Sequence, residues 1–200
     1  GAGMMAAGAG LLAFAVSGIS TAEALGSEVR KLQRYTGMSA EEASKLAAVA
    51  KHVNVPVDTL AAGLGKLSKA MEAGSPGFEN LGVSARDSDG KLKSLGAFLP
   101  ELADKFKDLP NGPEKTATAL QLFGRNGMEM MPFLNKGAAG MKELGDEAEK
   151  MGLVLSQDNV DQILKSKEAH KKLDETLQGL KTQIGLQVMP VITSFTELLG

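Results

Sequence analysis

The sequence predicts a mainly α protein: a compact multi-helix module, with a short β-hairpin or ordered loop near 83–92, flanked by an apolar N-terminal helix and a long C-terminal helix. Three observations carry this expectation. Apolar residues recur at three- and four-residue steps through most of the 200 positions, and the runs are separated by Gly and Pro breaks. Hydrophobic residues make up 43% of the chain, enough for a sizeable core, while aromatic residues make up 4% and Trp is absent. The core must therefore be built mainly from Leu, Ala, Val and Met, and 24 Gly suit close helix approach and frequent corners. The length accommodates one domain or two small ones. The predicted divisions are an apolar segment with a connecting helix at 1–38, a compact helical module at 39–155, and a long helix at 156–200 with a short heptad seam and an apolar end.

Gly1 to Ala22 carries no charge, and Met4 to Val16 is its densest apolar run. Such a run is short of the roughly twenty residues that a spanning helix needs, and no positive residues precede it as a secretory signal requires. A helix-pairing segment, a membrane-inserting segment and a cleaved signal are the three readings. The first two share the small-residue pairs Gly3 with Ala7 and Ala6 with Gly10. Met4, Met5, Leu11, Leu12, Phe14 and Val16 are the candidate membrane residues. The chain begins with Gly, as a processed product or a piece of a longer protein would.

Ala22 to Tyr35 places Leu25, Val29 and Leu32 on one helical face, and Gly37 ends it. Ser39 with Glu42 three residues on is a capping-box signature, opening a helix with Ala43, Leu46, Ala47, Ala50 and Val53 on its apolar stripe. After Val55-Pro56, the residues Val57, Leu60, Leu64, Leu67 and Met71 form the next stripe, broken by Gly74-Ser75-Pro76-Gly77. Ser88-Asp89-Gly90 suits a tight reversal between Val83 and Leu92, which is the predicted hairpin or loop. Ala97 to Leu109 returns to helix with Pro100 in its first turn, and Pro113 opens the following helix. Ala138 to Met151 is helical on the stripe Met141, Leu144 and Ala148. Ser156 caps the last stretch, which runs to about Val188 and is ended or kinked by Pro190. Within it Leu173, Leu177, Leu180 and Ile184 alternate four- and three-residue steps, a heptad seam that asks for a partner helix.

The chain is organised around the corner from Leu120 to Leu134. Leu122 and Phe123 end one helix, Gly124 and Gly127 allow the reversal, and Pro132 and Leu134 lie in the apolar turn beyond. Together with Pro110, Gly112, Lys115, Ala119 and Gly137, this segment resembles the shared core of bacteriophage tail tape measure proteins. The likeness extends upstream through Tyr35 to Ala43, Val57 to Leu60 and Leu81 to Leu92, and covers roughly residues 30–190. It implies a structural protein that occupies the tail tube lumen of the virion, sets tail length, and assists genome ejection through the host envelope. It implies residence in the host cytoplasm during assembly and contact with the host membrane during delivery. The implied partners are tail tube and tail-tip proteins, tail assembly chaperones and other copies of the chain. Two further readings, from the residues alone, are a non-phage helical adaptor whose seam takes one partner helix and a membrane-active helical protein.

No residues suggest an enzyme. There is no nucleophile elbow, phosphate loop or paired-His zinc motif, and zero Cys removes thiolate chemistry and any disulfide framework. Gly8-Ala9-Gly10-Leu11-Leu12-Ala13 fits the loose dinucleotide pattern, but no strand precedes it. Asp87-Ser88-Asp89-Gly90 resembles the middle of a calcium loop, yet Ala85 and Gly96 would stand where the outer carboxylates belong. His52 and His170 lack an acid and a nucleophile beside them, so no catalytic residue, cofactor or metal site is expected. Met128, Met130 and Met131 read as core, or as an adaptable contact. With 22 basic against 24 acidic residues the net charge is −2, which disfavours a sequence-specific nucleic-acid binder and leaves room only for local basic patches.

Overall fold

The computed structural model describes the backbone of residues 2–198 and the side chains of residues 18–182. Its elements are α1 (Ala2–Thr36), α2 (Ala40–His52), α3 (Val57–Ala73), α4 (Pro76–Leu81), α5 (Leu95–Asp108), α6 (Pro113–Phe123), α7 (Gly127–Leu134), α8 (Gly137–Lys150) and α9 (Gln157–Leu198), with a 3-10 turn at Gly124–Asn126 between α6 and α7. Two compact units result, Gly1–Val160 and Asp161–Gly200.

The first unit is assembled around α3. Its stripe Leu60, Leu64 and Leu67 is fully buried, and α3 packs against α1, α6 and α7. Val29 and Leu32 bring α1 into that core at 0% exposure, and α1 also packs on α2. The expected division at 38/39 therefore falls between two helices that share one unit. On the other side α8 bridges α2 and α5, so the helices of the first unit form a layered bundle. Four Phe supply the largest fully buried side chains, Phe98, Phe106, Phe123 and Phe133. Phe78 meets Phe98 edge to face with ring centroids 5.2 Å apart, the geometry that the ring quadrupoles prefer. A few aromatic residues at the centre thus do what many would do in a richer core.

Several helix ends form as their residues dictate. Ser39 Oγ accepts from the Glu42 N–H at 3.1 Å, and the Ser39 N–H donates to the Glu42 carboxylate at 3.0 Å, a complete capping box. Ser156 and Asn159 reproduce the same reciprocal arrangement at the start of α9. The buried Ser44 donates to the Ala40 carbonyl and accepts from the Leu155 N–H at 3.1 Å, which ties the chain before α9 to α2.

The structure departs from the sequence expectations in three places and, at 83–92, takes the second of the two expected forms. Among the described residues no strand forms: the 83–92 stretch is an ordered loop with a single antiparallel bridge, Arg86 to Leu92. Asp87 explains the arrangement, because its carboxylate accepts the N–H groups of both Asp89 and Lys91 and closes the turn locally. The α5 helix begins at Leu95, capped by Ser94, so Pro100 lies in the second turn and not the first. A short helix, α4, forms within a stretch read as a break, opened by Pro76 at its first position. Finally, the backbone of α9 stays helical through Pro190 to Leu198.

At the N-terminus α1 is one continuous helix whose first half covers the apolar run. The side chains of Met4, Met5, Leu11, Leu12, Phe14 and Val16, and the small-residue pairs, lie outside the described residues. Among the described residues no helix is long and apolar enough to cross a membrane.

In the second unit every described side chain beyond Leu164 is exposed. Leu173, Leu177 and Leu180 are 56%, 46% and 52% exposed, so the seam is unfilled along its described length. Ile184 lies outside the described side chains.

Candidate functional site

The corner predicted from the sequence is the best-defined surface feature of the first unit. Its geometry depends on two glycines in different ways. Gly124 adopts φ 64 and ψ −149, a backbone that L side chains rarely enter, and this lets α6 stop and the 3-10 turn begin. Gly127 has ordinary helical dihedrals, φ −56 and ψ −41. What it provides is room: a Cβ there would stand 2.3 Å from the Ala119 carbonyl oxygen, so α7 folds back against the α6 backbone.

The apolar residues of the corner point inward. Leu122, Phe123 and Leu134 are buried, with Met130 and Phe133 beside them at 0% exposure. The Met130 sulfur lies 3.1 Å from where a Gly63 Cβ would be, so a glycine on α3 makes the slot that this thioether fills. The Met cluster is divided, since Met128 is 58% exposed. Pro132 lies on the exposed side of α7, where its missing N–H and its ring disturb solvent-facing backbone only.

Lys115 has a role that the sequence did not disclose. It is 3% exposed, and its ammonium donates to the carbonyls of Lys107 at 3.2 Å and Leu109 at 3.0 Å while standing 5.1 Å above the Phe106 ring. A cation is thereby placed against the carbonyl end of α5, where the helix dipole favours it. The signal was the spacing of Pro110, Gly112 and Lys115, which sends a lysine back under the loop that precedes it.

On the outer side, the corner borders a groove of about 530 Å³ lined by Tyr35 of α1, Gly65, Lys66 and Lys69 of α3, and Gly124, Arg125 and Asn126 of the turn. Tyr35 is 51% exposed, and its ring lies over α3 at Gly65, where a Cβ would come within 2.9 Å of Cδ1. The groove combines three cations with an accessible aromatic face and holds no carboxylate among its lining residues.

The other residues considered from sequence are dispersed. His52 is exposed at the end of α2 and His170 is exposed on α9. Asp87 is occupied by its own turn, and among the described residues no group of three His, Asp or Glu side chains is placed to hold a metal ion. The seam leucines and the corner residues belong to different units.

Compared with known proteins, the chain matches no protein-family model, no curated protein and no solved structure.

Proposed function

We propose that the chain is a segment of a phage tail tape measure protein, working by the reach and packing of its helices with no reacting group. In this reading it lies in the tail tube during assembly, contributes to tail length, and leaves ahead of the genome toward the host envelope. The observation that carries the reading is the seam of α9. A 42-residue helix rises about 63 Å at about 1.5 Å per residue, and it presents leucines in heptad register to solvent. Such a surface suits association with parallel copies along a tube axis. The resemblance carried by Pro110, Gly112, Lys115, Gly124, Gly127 and Pro132 supports the same assignment.

Two measurements test it. Mass spectrometry of purified tails should find peptides of this chain before genome ejection and lose them afterwards. Their absence from intact tails would remove the proposal. Sedimentation of the full 200-residue chain should show self-association that the substitutions Leu173→Ser, Leu177→Ser and Leu180→Ser together abolish. A chain that stays monomeric at high concentration would instead favour the adaptor reading, in which the seam takes one helix of a different protein.

A further inference from the structure

The groove beside the corner is a surface with a defined chemistry that the tail-tube reading does not use. Lys66 and Lys69 stand on the exposed side of α3, and Arg125 projects from the turn between α6 and α7. None of the three forms an ion pair among the described residues, in contrast to Lys31 with Asp58, Lys45 with Glu149, Lys51 with Glu28 and Lys93 with Glu101, and in common with others such as Arg34 and Lys105. With no carboxylate in the lining, the three positive charges share one concave surface.

One wall of the groove depends on a missing side chain. Gly65 lets the Tyr35 ring settle onto α3, and a methyl group at that position would meet the ring at 2.9 Å. The Lys66 stem lies along the turn, its carbons 3.7 Å from the position a Gly124 Cβ would take, an ordinary van der Waals contact. Tyr35 therefore keeps a supported, half-exposed face next to the cations, and Asn126 adds an amide that can both donate and accept.

An aromatic platform flanked by unpaired cations fits one ligand class better than others. A carboxylate-rich peptide would use the cations and leave the ring idle. A duplex would hide its base faces. A single strand offers both a flexible phosphate backbone and unstacked bases, and such strands bind by stacking on aromatic rings within basic grooves. We propose that the groove of Tyr35, Lys66, Lys69 and Arg125 binds single-stranded nucleic acid without regard to sequence, one base lying on Tyr35 and the neighbouring phosphates on the three cations. The inference stands apart from the tail-tube assignment, since it needs only the groove.

The test is fluorescence anisotropy of a labelled twelve-residue oligothymidylate titrated with the full chain. Three neutralised phosphates predict a slope of about −2 for log affinity against log salt. Tyr35→Ala should weaken binding about tenfold through lost stacking. Lys66→Gln, Lys69→Gln and Arg125→Gln combined should remove binding at moderate salt. All four positions are exposed, so circular dichroism should show the helical fold kept in each variant. No binding at low salt, or binding indifferent to the triple variant, would overturn the proposal. Equal affinity for poly-glutamate of matched length, together with no effect of Tyr35→Ala, would also overturn it and make the groove a site for acidic polypeptide.

Discussion

Gly127 and Lys115 show how single residues fix the corner. Replacing Gly127 with Ala drives a methyl into the Ala119 carbonyl, a backbone atom that cannot move without shifting α6. The expected cost is about 1–3 kcal/mol, the range for overpacking a tight interior, read as a lowered midpoint in urea unfolding. An unchanged midpoint would mean that α6 and α7 separate easily. Lys115→Met keeps the buried stem and removes the ammonium, leaving the Lys107 and Leu109 carbonyls without that donor. A loss of about 1.5–3 kcal/mol follows for hydrogen bonds that involve a charge. At this scale the sequence was partly legible. The Ser39 and Glu42 pair could be read because both halves of a capping box lie within one turn. The burial of Lys115 could not, because a lysine is ordinarily solvated and only the return of the 110–113 loop encloses it. Of the candidate groove, the Gly124-Arg125-Asn126 turn was visible as a corner, whereas its meeting with Tyr35 and Lys66 joins residues far apart in the chain.

Between elements, the α2–α8 contact carries the electrostatics that titrate. Lys45 reaches Glu149 at 2.7 Å and Asp146 at 4.0 Å, and Lys142 also bonds Asp146 from one turn away. The hydrogen bond with Glu149 holds Lys45 above its usual value of 10.5, with partial desolvation opposing it. The hydrogen bond from Lys142 holds Asp146 below its usual 3.8. A carboxylate lowered on folding contributes stability above its unfolded value, and that contribution fades as pH falls through the folded one. A raised lysine contributes below 10.5 and loses its share as pH rises further. These pairs should therefore contribute most between those limits, and Asp146→Asn, which chiefly removes the Lys142 pair within α8, should flatten the acid side of the thermal-midpoint profile. Because the groups are solvent-exposed the effect is small and should shrink in high salt, while an acid limb untouched by the substitution would assign it elsewhere. Element boundaries were less legible than element existence. The α5 helix starts two residues before the expected Ala97 because Ser94 supplies the cap, accepting from the Ala97 N–H at 3.2 Å. Of the expected hairpin or loop at 83–92 the loop forms, because Asp87 satisfies the turn by itself and one bridge remains to be made.

For the whole molecule, the sequence carried the distinction between a packed part and a seam, dividing them at 155/156 where the two units of the structure divide at 160/161. Leu25, Val29 and Leu32 look like an ordinary amphipathic face, and nothing local says that α2 and α3 both pack on this helix. The exposed seam of Leu173, Leu177 and Leu180 was legible because its steps alternate four and three. These two kinds of structure make different predictions for tail length. Residues folded into the bundle of the first unit advance the chain little along any axis, because successive helices reverse direction at corners such as Gly124 to Gly127. Residues in an uninterrupted helix each add about 1.5 Å. In-frame removal of three heptads from α9 within the parent phage should therefore shorten the tail tube by about 30 Å, measured by electron microscopy of many tails. Three heptads preserve the phase of any remaining seam, so loss of assembly through misregister is avoided. Removal of a comparable block from the bundle, for example α4 with its following loop, should change stability and yield much more than length. Tails of unchanged length after the α9 deletion would end the length-setting part of the proposal, and shortening in proportion to bundle deletions would show that the bundle unfolds in the tube.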